Sequence, residues 1–218
     1  MTKPRSERTR LRRGAARAEY SKQALLEILD AGVVAHVGVT TPEGPIVLPM
    51  AYGRTNEHLY LHGAAGNAML RHAVGTDLCA TVTIVDGLVV ARSPFHNSMN
   101  YRSVVVRGVA TEVEGSDAKR AALRLVSNHV VSTWETGRPP ADSEIRRTLV
   151  LRVPLVEMSG KVRTGGPAGE EPQDVHGPHW AGHVPISCTW DAPVNAQDLT
   201  RGIEVPSAVA ALRGRRLG

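Results

Sequence analysis

The stretch that decides the fold, residues 77–112, reads DLCATVTIVDGLVVARSPFHNSMNYRSVVVRGVATE. Its first part, Asp77–Val85 and Leu88–Ser93, has the β-branched, alternating character of two strands. The dipeptide Asp86-Gly87 between them is typical of a tight hairpin turn. After an irregular polar loop, Tyr101–Glu112 is rich in valine and predicts a long further strand. This stretch therefore predicts antiparallel β-sheet.

Upstream of this stretch, the pattern predicts a helix followed by three strands. Ser21–Ala31 has the apolar spacing of a short amphipathic helix. Val33–Thr40 and Ile46–Gly53 flank a turn and predict a hairpin, and Leu59–His62 predicts a third strand. Pro49 lies inside the second strand, where proline removes a ladder hydrogen bond. We therefore expect either a local break in pairing or an edge position there.

The remaining segments complete a mainly β pattern. Ala64–Ala73 and Ser116–Val131 have helical spacing, Thr148–Val153 predicts a last core strand, and residues 164–188 have little periodicity. About six strands with short turns and few helices favour a closed antiparallel barrel or a sandwich. A βαβ nucleotide fold is disfavoured because the strands lack crossover helices.

Composition restricts the class of protein. The chain has 218 residues, of which 42% are hydrophobic, and this excludes a mainly disordered polypeptide. No run approaches the roughly 18 apolar residues of a membrane helix. The charged start has no apolar signal core, and the two cysteines match no metal or redox spacing. These features predict a reduced, cytoplasmic protein that does not bind a membrane.

The net charge of +5 arises mainly at the N-terminal end. Residues 1–20 hold seven bases and two acids, so the rest of the chain is neutral. Such a basic arm can contact phosphates or an anionic surface. Eight aromatic residues in the whole chain leave little for base stacking. We interpret the segment as a solvated, flexible arm and do not expect nucleic-acid binding.

The histidines do not predict a metal site. His58 and His62 are four residues apart on a strand, which separates them by about 13 Å. His176, His179 and His183 would share a helix face, but the Gly-Pro pair between the first two breaks that helix. The glycines after His62 match neither a dinucleotide fingerprint nor a P-loop. We therefore expect no metal.

Three segments have features of a ligand site. Leu59–His62 runs through Gly63 into a helix, and a helix N-terminus attracts anions; an ordinary turn is equally consistent with the pattern. Arg102 can pair with a phosphate, although it and Ser103 face opposite sides of a regular strand. Leu48–Tyr52 is a proline-broken strand that leaves backbone groups for a flat heterocycle. A surface arginine and an edge strand are the plain alternatives.

In order, these segments resemble the flavin-nucleotide-binding relatives of pyridoxamine 5′-phosphate oxidase, a group that includes the nitroimidazole-resistance proteins. The most specific run is His-Asn-Ser-Met-Asn-Tyr-Arg-Ser-Val at residues 96–104, and Ala51–Gly53, Leu59–Gly63 and Asp86–Val89 are shorter matching pieces. The resemblance extends from about residue 13 to residue 163. It implies a six-stranded antiparallel split β-barrel with a few flanking helices. It also implies a homodimer that holds FMN at the subunit interface.

The resemblance further implies which residues bind the flavin. These are Pro49, Met50, Ala51, Tyr52, His62, Gly63, Gly66, Asn67, Arg71, Arg102, Ser103 and Lys161. Many relatives have Ser-Arg in the phosphate turn where this chain has Gly66-Asn67, which removes a cation and a hydroxyl. Arg71 or Arg102 would then have to compensate for the lost charge.

Two functions follow as hypotheses. The first is an FMN-dependent oxidoreductase of a small molecule, with NADPH or NADH as candidate electron donors and His62 as candidate proton donor. The second is a flavin-binding carrier or sensor without turnover, which the Gly66-Asn67 turn favours. The expected organisation is a basic flexible arm at 1–20, an FMN-binding split-barrel domain at 21–188 and an irregular C-terminal tail at 189–218.

Overall fold

The computed structural model describes residues 3–218, which form a mainly β fold in which every strand pair is antiparallel. The strands are β1 Ala18–Glu19, β2 Ala35–Thr41, β3 Gly44–Met50, β4 Tyr52–Arg54, β5 His58–Ala64, β6 Asp77–Val90, β7 Ser98–Val109, β8 Thr111–Glu112, β9 Thr148–Pro154, β10 Glu157–Arg163, β11 Gly182–Pro185, β12 Cys188–Thr189 and β13 Arg216–Leu217. The helices are α1 Lys22–Ala31, α2 Ala68–Ala73, α3 Ser116–Ser127, α4 Asp142–Arg146, α5 Pro172–Val175 and α6 Ser207–Ala210. Short 3-10 segments lie at Glu7–Thr9, Ala15–Arg17 and Pro94–His96.

Two sheets enclose one apolar core. The large sheet has the order β1-β10-β7-β6-β2-β3, and β11 pairs with the far end of β6. The small sheet has the order β4-β5-β9-β8. Alternate residues of both sheets, such as Val37, Leu61, Val82, Val104 and Leu151, are fully or almost fully buried between them. The prediction of a mainly β, antiparallel fold is confirmed. Among the described residues, no helix has the length and apolar character needed to span a bilayer.

Helix α1 closes one side of this core. Its residues Leu25 and Leu29 are buried against the large sheet. Gly160 in β10 permits this packing, because a Cβ atom there would lie 2.5 Å from Leu25 Cδ2. Gly160 therefore has a packing role, independent of any ligand.

The hairpin predicted at Asp86-Gly87 is wrong. β6 is one continuous strand, and it pairs with β7 on both sides of a register shift between Val85 and Gly87. A Cβ atom at Gly87 would lie 2.7 Å from the carbonyl oxygen of Val184 in β11. The glycine therefore permits a bulge and the close approach of an added strand, whereas the turn itself lies at residues 91–97.

The described part of the expected flexible arm is anchored to the body. The Arg8 guanidinium lies 2.6 Å from an Asp77 carboxylate oxygen and 3.3 Å from one of Glu157. Thr9 is buried, and β1 pairs with β10. Acidic side chains distant in sequence thus hold the basic segment, which composition alone does not reveal.

The expected C-terminal tail is largely irregular but not detached. β11 adds to the free edge of β6, and β13 returns to pair with β12. Between these anchors, residues 191–205 are exposed. An unpaired edge at the end of β6 explains why a segment without periodicity forms a strand.

Candidate functional site

The two neighbours Arg102 and Ser103 lie on opposite faces of the large sheet. Ser103 is opposite Lys161 in β10 and Thr83 in β6, and all three share the outward face. Arg102 is opposite Ile84 on the face that continues into the core. Pairing is regular here, so the expected separation of the two side chains on opposite faces is confirmed, and their binding to a flavin stays a prediction.

The outward face of the large sheet is uncovered. Apart from Arg163 at the end of β10, none of the described residues that form it across β3, β2, β6, β7 and β10 is buried. Its polar groups include His36 and Thr81 beside Pro49, and Ser103 beside Lys161. Three residues expected to bind the flavin, Pro49, Ser103 and Lys161, thus lie on one side of the protein.

Positive charge collects at the end of β10 without matching acid. In the part of the chain that the structure describes, Lys161 and Arg17 have no carboxylate within 4.0 Å. Arg163 is buried and donates only to oxygens of uncharged groups, with Nη1 2.5 Å from Asn100 Oδ1 and Nη2 3.0 Å from the Gly166 carbonyl oxygen. Its Nε is buried without a partner.

Burial is the main cause that lowers the pKa of Arg163, and repulsion from Arg17 adds to it. Buried cations are normally paired. The cluster of Arg17, Lys161 and Arg163, called the β10 basic cluster below, therefore favours an anion near this end of the sheet.

Pro49 lies in an edge strand, so an edge position, and not a local break in pairing, accounts for a proline in this strand. β3 ends the large sheet, and Pro49 keeps its register opposite His36. Met50 packs against the core and Ala51 is exposed. Pro49 and Ala51 are thus accessible to a ligand.

Tyr52 is a core residue, and its predicted contact with a flavin ring is corrected. The side chain is fully buried. Its hydroxyl contacts the Leu29 carbonyl and lies 2.9 Å from the carbonyl oxygen of Gly32, at the end of α1. Burial raises the pKa of this phenol. The side chain therefore ties β4 to α1 and is closed to solvent.

The predicted phosphate turn lies between β5 and α2, apart from the β10 basic cluster. Asn67 caps α2, because its Oδ1 accepts a hydrogen bond of 3.0 Å from the Leu70 amide. Gly66 borders open space, since a Cβ atom at this position would meet nothing within 4 Å. The Asn67 side chain thus caps α2, which is a structural reason for an asparagine at this position of the turn.

Cations from distant elements surround this turn. A cavity of about 310 Å³ is lined by Ala65 and Arg71 together with Lys119 of α3 and Arg146 of α4. Lys119 lies 3.1 Å from a Glu112 carboxylate oxygen, whereas Arg71 and Arg146 have no carboxylate within 4.0 Å among residues 3–218. Lys119 and Arg146 were missed by sequence reasoning, because neither lies in a motif and both are far from the turn in sequence. Arg71 and Arg146 are thus two cations beside the turn in which Gly66-Asn67 lacks one.

His62 lies on the outer side of the small sheet. It is opposite Val150, which packs with Tyr60 and Ala122 of α3 in a second apolar cluster. Its Nδ1 is buried without a partner among residues 3–218, and burial lowers the pKa of the ring. The imidazole is therefore neutral at pH 7, and neither the cavity containing Arg71 nor the outward face contains it.

A separate cavity of about 580 Å³ lies between the β2–β3 turn and α2. Pro45, Ile46 and Met69 contribute apolar surface, and His72 contributes an imidazole. This volume is within the range typical of ligand pockets. The cavity thus combines an apolar wall with one imidazole and with the polar side chains of Thr41 and Glu43.

The comparisons with known proteins agree with this fold. The family model described as "Pyridoxamine 5'-phosphate oxidase" matches residues 21–162. The flavocytochrome Anf3 from Azotobacter vinelandii is 31% identical, with a TM-score of 0.93, over 97% of this chain and 99% of that chain. The FAD and haem binding protein from Mycobacterium smegmatis is 30% identical, with a TM-score of 0.86, over 92% of this chain and 98% of that chain.

A protein assigned to 5-nitroimidazole antibiotic resistance from Bacteroides thetaiotaomicron is 28% identical, with a TM-score of 0.57, over 66% of this chain and 86% of that chain. No curated protein sequence matches. These structures confirm the expected split-barrel architecture. The chain belongs to the pyridoxamine 5′-phosphate oxidase-like family.

Proposed function

We propose that this protein binds a flavin nucleotide on the outward face of the large sheet and uses it in electron transfer. The observation that carries the proposal is the β10 basic cluster, which lacks a carboxylate partner in the described residues. A flavin nucleotide brings a phosphate or pyrophosphate of opposite charge, and Ser103 adds a hydroxyl beside Lys161. The similarity to a flavocytochrome and to an FAD and haem binding protein supports the same conclusion.

We propose FAD as the form of the flavin. The Mycobacterium smegmatis relative, which matches nearly the whole chain, is described as binding FAD. The pyrophosphate of FAD carries its charge over a longer distance than a single phosphate, which suits a cluster of three cations. FMN, implied by the resemblance, is the alternative, and the mass of the released flavin distinguishes the two.

Two copies are proposed to share each flavin. Val47 and Val85 on the outward face are 61% and 40% exposed, and monomers rarely leave broad apolar surface uncovered. The turn with Gly66 and Arg71 lies apart from this face in one chain. A two-fold symmetric pair brings different surface patches of two chains together, so the turn of one copy would meet the face of the other.

The flavin, when bound, supplies the hydride or electron chemistry. The contribution of the chain is to bind, orient and shield it from water. Lys161 and Arg17 would hold the anionic end, and the edge around Pro49 would border the ring. Since His62 lies elsewhere, His36 is the imidazole that this face offers for holding a proton.

Haem is proposed as a second group, in the cavity beside His72. Both relatives that match nearly the whole chain have names that include a haem or cytochrome component. The apolar cavity and its imidazole fit such a group. His72→Ala is expected to abolish the haem absorption band of the purified protein, and the flavin content is expected to stay unchanged. A haem band of wild-type intensity in the variant would refute this assignment.

The redox role is tested by adding NADH or NADPH to purified protein under argon. Bleaching of the flavin bands, followed by recovery when oxygen or another acceptor is added, supports an oxidoreductase of a small molecule. Flavin that stays oxidised with both donors supports the carrier or sensor alternative. Both cysteines, Cys79 and Cys188, are free, which supports the proposal that the protein works in the cytoplasm.

A further inference from the structure

A third cavity lies between the C-terminal segment and the large sheet. Its volume is about 350 Å³. The sheet contributes His36, residues 83–86 and Arg102 to the walls, and residues 31–34 precede β2. The remaining wall is formed by residues 186–188 and 216–218, called the strap below. The strap is held by the pairs Cys188 with Leu217 and Thr189 with Arg216, and the Ile186 amide donates to the Asp86 carbonyl oxygen at 3.0 Å.

An arginine with free donors lies in this cavity. Arg102 Nε is 3.0 Å from Asp86 Oδ2, and Nη2 is 2.7 Å from Asp86 Oδ1. This pair uses two of the five N–H groups of the guanidinium. Within residues 3–218 no acceptor pairs with the other three. The side chain is 32% exposed, so a second edge of the guanidinium remains available.

The charges of the lining favour an anion. Arg102 and Arg216 contribute two cations, and Asp86 is the one carboxylate side chain among the lining residues that the structure describes. The remaining surface is largely apolar, with Val34, Ile84 and Leu217 among its members. A guanidinium fork matches the geometry of a carboxylate.

We propose that this cavity binds a small, mainly apolar carboxylic acid, with its carboxylate on the free edge of Arg102. The acid is the size of a single aromatic ring with a short substituent, which the cavity volume accommodates. His36, Thr83 and Val85 of the outward face also border the cavity, so the acid would bind next to the proposed flavin face, as a substrate or an effector. The proposal does not depend on flavin binding.

Calorimetric titration of the purified full-length protein with benzoate tests the proposal. Saturable binding is expected, and Arg102→Met is expected to weaken it at least tenfold, since a charge-assisted pair is lost. Arg92→Met is the matched control, because Arg92 forms another half-buried pair, 2.9 Å from Glu170, outside the cavity. Absence of benzoate binding, or equal affinity in wild type and Arg102→Met, would overturn the proposal.

The two cysteines give an independent readout of the binding position. Cys188 lines the cavity, whereas Cys79 lies in the outward face of β6, outside the cavity. Saturating benzoate is expected to slow alkylation of Cys188 by iodoacetamide and to leave Cys79 unaffected. Equal protection of both thiols would contradict binding beneath the strap. Absence of flavin from the preparation would count against the proposed function alone.

Discussion

Replacing Lys161 by methionine is expected to weaken flavin binding tenfold to a hundredfold. The ammonium is half-buried, opposite Ser103, and in the described chain it has no carboxylate within 4.0 Å. It therefore has no protein counter-ion to lose, and its removal should affect mainly the anionic ligand. Hydrogen bonds to charged groups contribute about 1.5–3 kcal/mol, and each 1.4 kcal/mol corresponds to about tenfold in affinity.

The assay is titration of flavin-free protein with FAD, followed by the change in flavin fluorescence. Lys22→Met is the matched control, since Lys22 is an exposed lysine of α1 outside the outward face. It should retain the wild-type dissociation constant. If Lys161→Met also binds FAD with wild-type affinity, the β10 basic cluster does not hold the flavin and the reasoning fails.

Three further predictions concern the framework of the site. Gly53→Ala should lower the free energy of unfolding, measured by urea denaturation, by about 1–3 kcal/mol or more, because its Cβ would lie 2.5 Å from the backbone carbon of Leu125. Gly66→Ala is the control, because a Cβ there would meet nothing within 4 Å, and it should change the same free energy by less than about 0.5 kcal/mol. Tyr52→Phe should cost about 1–3 kcal/mol in the same assay, since the one buried hydroxyl hydrogen shared by the Leu29 and Gly32 carbonyls is lost, and wild-type stability would contradict this. The pKa of His62 is lowered by burial, so the unfolded chain binds more protons and stability should fall as pH drops below about 6.5; His62→Gln should reduce this slope, and an unchanged slope would assign it to other groups.

The sequence pattern was sufficient for the fold class but not for the strand boundaries. Alternation in β2, β6 and β7 identified antiparallel sheet correctly. Asp86-Gly87 was misread because the same dipeptide suits a turn and a bulge, and only the distant β11 decides between them. β10 was missed because three consecutive residues in its middle, Ser159, Gly160 and Lys161, are of types common in loops.

The face on which a site residue lies was predictable where it depends only on the alternation of side chains along one strand. The alternation rule already separated Arg102 from Ser103, and the register confirms that separation. The positions of Lys119 and Arg146 depend on how α3 and α4 pack beside the turn, which no local pattern contains. Tyr52 was assigned to the ligand because the resemblance places its segment beside the ring, whereas its side chain belongs to the contact between β4 and α1.

The most direct test of a flavin held between two copies is multi-angle light scattering on a sizing column with an absorbance detector in the visible flavin bands. The account predicts a peak with twice the 23.4 kDa chain mass that carries two flavins, whose mass after denaturation is that of FAD. A colourless peak, or flavin that elutes with a single chain, would contradict it.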